Sequence, residues 1–131
     1  MVIPTGHERD SYMDKQRRKE LQQQYREIKT YMGVYQIANT VTGKIFISTC
    51  PNLKNRWLTL RMQLDMGRHA NSELQRDWSE MGEDSFTYQV MEEKEVTEDT
   101  DTRWELRQME KAWLEKLRPY GDRGYNKPPR D

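Results

Sequence analysis

The sequence predicts a small α/β (α+β) layer fold, three strands with helices packed on them. Three observations predict it. The β-rich runs GVYQIA (33–38) and KIFIST (44–49) are separated by NTVTG, a hairpin signal with Gly43 at the turn. A third run, SFTYQVM (85–91), alternates so that Phe86, Tyr88 and Val90 share one side. The remaining stretches carry apolar residues at helical spacing.

In chain order, residues 1–9 read as a disordered lead, and 10–30 favour a helix with a thin stripe of Leu21, Tyr25 and Ile28. So narrow a stripe predicts a peripheral helix, which gives a tail and helix over 1–31 and a domain over 32–131. After the hairpin, Pro51 and Asn52 open a helix to about residue 66, with Leu53, Trp57, Leu60 and Leu64 on one face and Gly67 at its end. Ser72 and Gln75 have capping-box spacing for a further helix that runs to Met81 and closes at Gly82. The third strand follows, then an acidic stretch read as a loop. A last helix spans Thr102 to Leu117 and stops before Pro119.

Composition narrows the class. The chain has 131 residues, 34% hydrophobic and 34% charged, which fits one compact domain with a polar surface around a small core. Four tryptophans and seven tyrosines suffice to anchor that core. The one cysteine, Cys50, excludes an intramolecular disulfide and points to a reducing compartment. No apolar run approaches bilayer length and no signal-like segment opens the chain, so the expectation is a soluble, cytoplasmic protein with no membrane partner. Net charge is zero, against a molecule whose whole surface grips nucleic acid, but the charges are unevenly placed. Acids crowd the stretch from Glu80 to Glu105, whereas Lys54, Arg56, Arg61 and Arg68 stand in the middle of the chain. The reading is either an ordinary solvated surface or a basic face set apart from an acidic loop.

The last helix breaks its own pattern. With Leu106 at zero on a wheel of about 100° per residue, Met109, Trp113, Leu114 and Leu117 fall within about 80°, and Glu110 falls at about 40°, inside that arc. A carboxylate there is costly unless it is paired or holds a metal. On the Leu53–Leu64 helix, Arg56 and Arg61 lie on opposite shoulders of the apolar stripe. Either one can snorkel or reach a phosphate, and the wheel does not choose. Nucleotide-binding glycine loops, HExxH and Cys/His clusters are absent from the sequence, which disfavours nucleotide and zinc sites. Cys50 lacks a neighbouring base that would mark it as a nucleophile.

The order of these features resembles the GIY-YIG nucleases, in their homing-endonuclease-like branch. GVYQIANTVTGKIFISTCPNLKNRW looks like that family's hairpin and first helix, and GRHANSELQRDWSEMGEDSFTYQVMEE and EKAWLEKLRPY…GYN continue it, covering about residues 32–126. The resemblance implies a three-stranded antiparallel sheet flanked by helices, and catalysis by Tyr35, Arg56, His69, Glu110 and Asn126. Glu110 would hold one Mg²⁺ or Mn²⁺, and Arg56 is thereby preferred over Arg61. Lys54, Arg61 and Arg68 would help bind DNA. The chain departs from the family pattern at Phe46, which replaces the YIG tyrosine, at Ser48, which replaces its glycine, and at Leu60, where that branch often has histidine. Phe46 keeps the ring and loses a hydroxyl, a change that costs about 10²–10⁴ in rate where such a group moves a proton. The resemblance therefore implies a metal-dependent DNA endonuclease of reduced activity. Its alternatives are a catalytically weak or inactive nucleic-acid-binding module and a protein-interaction domain on the same fold.

Overall fold

The computed structural model describes residues 15–20 and 29–129. Residues 15–20 are helical and exposed; the rest of the helix expected over 10–30, with its apolar stripe, lies outside the described residues. The unit that begins at Tyr31 is built on one antiparallel sheet. Its strands are β1 (Tyr31–Asn39), β2 (Ile45–Cys50) and β3 (Phe86–Glu95), in the order β2-β1-β3. The fold class and hairpin expected from the sequence are present. Asn39 closes the turn, because its side-chain oxygen accepts hydrogen bonds from the backbone N–H groups of Val41 and Thr42.

Period-two alternation gives the sheet two working faces. Tyr35 and Ile37 on β1 share one face with their partners Ser48, Phe46, Val90 and Tyr88. Against it pack α1 (Arg56–Asp65) and α2 (Ser72–Met81), whose Leu60, Leu64, Leu74 and Trp78 form the core with Tyr35, Ile37 and Phe86. The opposite face presents Met32, Val34 and Ile47, all buried, and takes α3 (Thr102–Leu117), which packs on β1 and β2. Residues 124–126 run along the open edge of β2. Tyr125 N–H donates to the Ile45 carbonyl at 2.9 Å, and the Asn126 side chain accepts from Ile47 N–H and donates to Ile47 O. That closes an edge otherwise free to pair with another chain.

Three boundaries differ from expectation. The first helix begins at Arg56 rather than near Pro51, because Asn52 folds its side chain onto the Lys54 N–H and Asn55 is left-handed (φ 56°). The second helix is capped by Asn71, which accepts from Leu74 N–H; Gln75 instead accepts from His69 N–H and donates to the Leu64 carbonyl. The acidic stretch is partly strand. Glu92, Glu93 and Glu95 extend β3 because β1 is long enough to pair with the whole of it.

That pairing contains a β-bulge. Tyr35 faces Val90 while the adjacent Val34 faces Glu92, so Met91 is an extra residue on β3. The bulge explains Gly33: a Cβ there would lie 1.9 Å from the Glu92 carbonyl oxygen. Beyond the bulge Glu92 and Lys94 turn toward α3. Trp113 Nε1 donates to Glu92 at 2.8 Å, and Lys94 pairs with Glu105.

Candidate active site

Arg56 and Trp57, adjacent at the start of α1, deliver a guanidinium and an indole to two tyrosines. The Arg56 Cζ lies 5.6 Å from the centre of the Tyr35 ring, within cation–π range. Tyr35 is buried on the central strand, with its ring centre 5.6 Å from that of Tyr88. Tyr88 in turn stacks on Trp57 at 5.1 Å and 13°. The half-buried Arg56 makes no ion pair among the described residues, and its Nε is buried without a hydrogen-bond partner. The Tyr88 hydroxyl is likewise buried and unpartnered. Arg61, its rival on the other shoulder of the helix, is committed elsewhere. It donates to Glu83 at 3.1 Å and lies 5.5 Å over the Trp57 ring.

His69 sits between α1 and α2 and is half-buried. Its Nδ1 accepts from Asn71 N–H at 3.0 Å, so in the neutral ring the proton is on Nε2. Its ring meets Phe46 edge-on at 5.4 Å. Burial pushes His69 below the usual imidazole range, and the positive charge of Arg56 pushes the same way. His69 and Arg56 are thus electrostatic neighbours, and the chain keeps this histidine neutral. Ser48 lies opposite Tyr35 on β2, and Leu60 is buried in the core beneath the helix. Lys54 and Arg68 are exposed.

Of the other expected site residues, Asn126 lines a pocket with Phe46 and Asn71, the two neighbours of His69, whereas Glu110 stands apart. The Asn126 amide is spent on the backbone of Ile47, at 2.9 and 2.8 Å, beside Phe46 in the sequence of β2. It holds the chain tail against β2. Glu110 is on α3, which packs on the sheet face opposite Tyr35. It is half-buried, has no hydrogen-bond or ion-pair partner among the described residues, and lines a groove of about 670 Å³ with Arg107, Lys111, Leu114, Arg118 and Tyr120. No group of three or more His, Cys, Asp or Glu side chains gathers among the described residues. The donor set on offer is one unpaired carboxylate. That fits an ion such as Mg²⁺, which keeps several waters and takes one or two carboxylates plus substrate phosphates.

Tyr88 and Trp57 belong to the cluster but were not singled out from the sequence as site residues. Tyr88 reads there as one more alternating strand residue. Only the register that sets it opposite Ile37, two pairs from Tyr35 and Val90 and so on the same face, places it at the site.

No protein-family model matches the sequence. The intron-associated endonuclease 1 of Enterobacteria phage T4 is 28% identical over 85 residues, 65% of this chain. The chain spans about a third of that relative, 32% of its length. The catalytic domain of the homing endonuclease I-TevI superposes with a TM-score of 0.60 at 26% identity, over 75% of this chain and 99% of that domain. A mutant form of the same catalytic domain gives 0.59 at 25% identity, over 73% and 92%. Among the described residues no helix is long and apolar enough to cross a membrane. Strand order and sequence identity agree: the chain is similar in fold and in sequence to the catalytic domain of a homing endonuclease, in line with the resemblance read from its motifs.

Proposed function

We propose that this domain is a metal-dependent DNA endonuclease that hydrolyses phosphodiester bonds. The observation that carries the reading is Arg56, a half-buried guanidinium held over the Tyr35 ring with no anion among the described residues to answer it. A cation in that state is costly unless a ligand supplies the charge, and a phosphodiester has the charge and the oxygen geometry that guanidinium matches. The GIY-YIG-type fold and the endonuclease relatives support the same reading.

In this reading Arg56 binds the scissile phosphate and offsets the charge that grows on it during attack. Tyr35, beneath Arg56, relays the proton of the attacking water: its phenol oxygen accepts that proton as its own O–H proton passes to a phosphate oxygen. His69, fixed by Asn71 as a neutral ring, donates its Nε2–H to a phosphate oxygen. Asn126 orients the β2 edge that carries Phe46. Glu110, on the helix across the sheet from Tyr35, is the residue that would hold Mg²⁺ or Mn²⁺, and such an ion would supply Lewis-acid stabilisation of phosphate charge. Lys54 and Arg68, both exposed, extend the contact along the DNA backbone, while Arg61 is partly spent on Glu83.

The test is cleavage of labelled single-stranded, duplex and branched DNA with Mg²⁺ or Mn²⁺, using wild type, Glu110→Ala and Phe46→Tyr. Cutting by wild type that Glu110→Ala abolishes, and that Phe46→Tyr accelerates, is the expected result. Full activity in Glu110→Ala would sink the assignment of the metal ligand. The missing hydroxyl at Phe46 favours a second reading, a DNA-binding module without cleavage. Salt-dependent DNA binding with no cutting by any of the three proteins would put that reading first.

A further inference from the structure

Among the described residues four buried polar atoms lack partners, and two of them, the hydroxyl of Tyr88 and the Nε–H of Arg56, belong to side chains that both flank the Tyr35 ring; the others are the Nε of Arg61, whose guanidinium already pairs with Glu83, and an oxygen of Glu105. Buried polar atoms are almost always satisfied, so two orphans against one ring ask for an explanation. Both can donate a hydrogen bond, and an acceptor carrying negative charge answers both at once. The Tyr88 ring is clamped, stacked on Trp57 at 5.1 Å and set against Tyr35 at 5.6 Å, so its hydroxyl is aimed before any ligand arrives. Phe46, the ring on β2 that meets His69, brings no hydroxyl of its own.

We propose, on the basis of the phosphodiester reading above, that Tyr88 is a second substrate-touching phenol of this site. Its Oη–H and the Arg56 Nε–H donate together to non-bridging oxygens of the bound phosphodiester. Both atoms are shut off from solvent, so the phosphate reaches them as the Arg56 side chain, which no hydrogen bond or ion pair among the described residues anchors, shifts to receive it. Burial, reinforced by the adjacent Tyr35, holds the Tyr88 phenol above its ordinary value, so it stays protonated at neutral pH and serves as a donor. No proton leaves Tyr88 in this role, and Tyr35 remains the proton acceptor.

The experiment compares wild type, Tyr88→Phe and Tyr31→Phe by two readouts: cleavage of labelled duplex DNA, and the rise in Tm on adding inorganic phosphate at constant ionic strength. Tyr88→Phe keeps the stacked ring and removes only the orphaned hydroxyl, so its Tm without phosphate stays at or above that of wild type. Its phosphate-induced rise shrinks, and its cleavage slows about 10²-fold. Tyr31→Phe, a phenol outside the cluster, behaves as wild type. A Tyr88→Phe protein that keeps the full wild-type response to phosphate overturns the proposal whatever happens to cleavage, as does a wild type with no response. If wild type cuts nothing but its phosphate response depends on Tyr88, the nuclease reading fails and the phenol donor stands.

Discussion

Two tyrosines on the α1/α2 side of the sheet have opposite surroundings. The hydroxyl of Tyr125 donates to Asp77 at 2.7 Å and accepts from Asn39 Nδ2 at 3.1 Å, and Lys44 Nζ lies 5.8 Å from the ring centre. Burial, supported by Asp77, pushes this phenol up to about 12. Around Tyr88 the order is reversed: the rings are held by stacking, and both the phenol and the adjacent guanidinium nitrogen lack partners. A polar cluster whose hydrogen bonds are all answered from within belongs to the fold. One held in place by shape, with its donors unanswered, is arranged for something that comes from outside.

The contrast can be broken most directly at Arg56. Arg56→Ala is expected to slow DNA cleavage about 10²–10³-fold, because it removes a donor to the developing charge. The melting temperature should move little, since among the described residues no hydrogen bond or ion pair is lost and only the contact with the Tyr35 ring goes. Single-turnover rates alongside a thermal melt test this, and a large fall in Tm would erase the distinction between the two clusters. Tyr125→Phe should do the reverse. It strands Asp77 and the Asn39 amide at a cost of about 1–3 kcal/mol of stability. Cleavage measured well below the melt should be unchanged, and a rate that falls while stability holds would assign Tyr125 to the site.

The smallest expected effect is on pH. His69 has a folded pKa depressed below its unfolded value of about 6.5. Its contribution to stability is therefore present above about 6.5 and is lost as pH falls through the folded value, when protonation breaks the bond from Asn71. Denaturant midpoints between neutral and acid pH should fall more steeply for wild type than for His69→Asn. Parallel curves would show that His69 is not held neutral by the fold.

Much of this was legible in the sequence, for reasons that differ by element. The hairpin and the last helix announced themselves because alternation and turn chemistry are local, and Thr102–Leu117 was read to the residue. The acidic half of β3 was not legible. Glu92, Glu93 and Glu95 show no apolar alternation, and what makes them a strand is the length of β1, sixty residues earlier in the fold's logic than any local signal can reach. The start of α1 was misplaced because a left-handed Asn55 is invisible in a propensity reading. At the site, the wheel left Arg56 and Arg61 tied; Glu83, which occupies Arg61, lies across a turn the wheel cannot see. The wheel did isolate Glu110, and the structure leaves it half-buried and without a partner among the described residues, on the other side of the sheet from Tyr35. Tyr88 required the strand register, which no single segment encodes.

The bulge at Met91 acts as a phase shift in the sheet. Upstream of it, even-numbered residues of β3 look toward α1 and α2; downstream, Glu92 and Lys94 look toward α3, where they meet Trp113 and Glu105. Pairing Met91 regularly with Val34, with no bulge, would slide the rest of the strand by one residue. That would rotate the cast, withdrawing Lys94 from Glu105 and turning Glu93 toward that carboxylate. The helix bearing Glu110 is thus keyed to the sheet by a single surplus residue, and Gly33, at the head of the GVY motif, is the notch that lets the key fit.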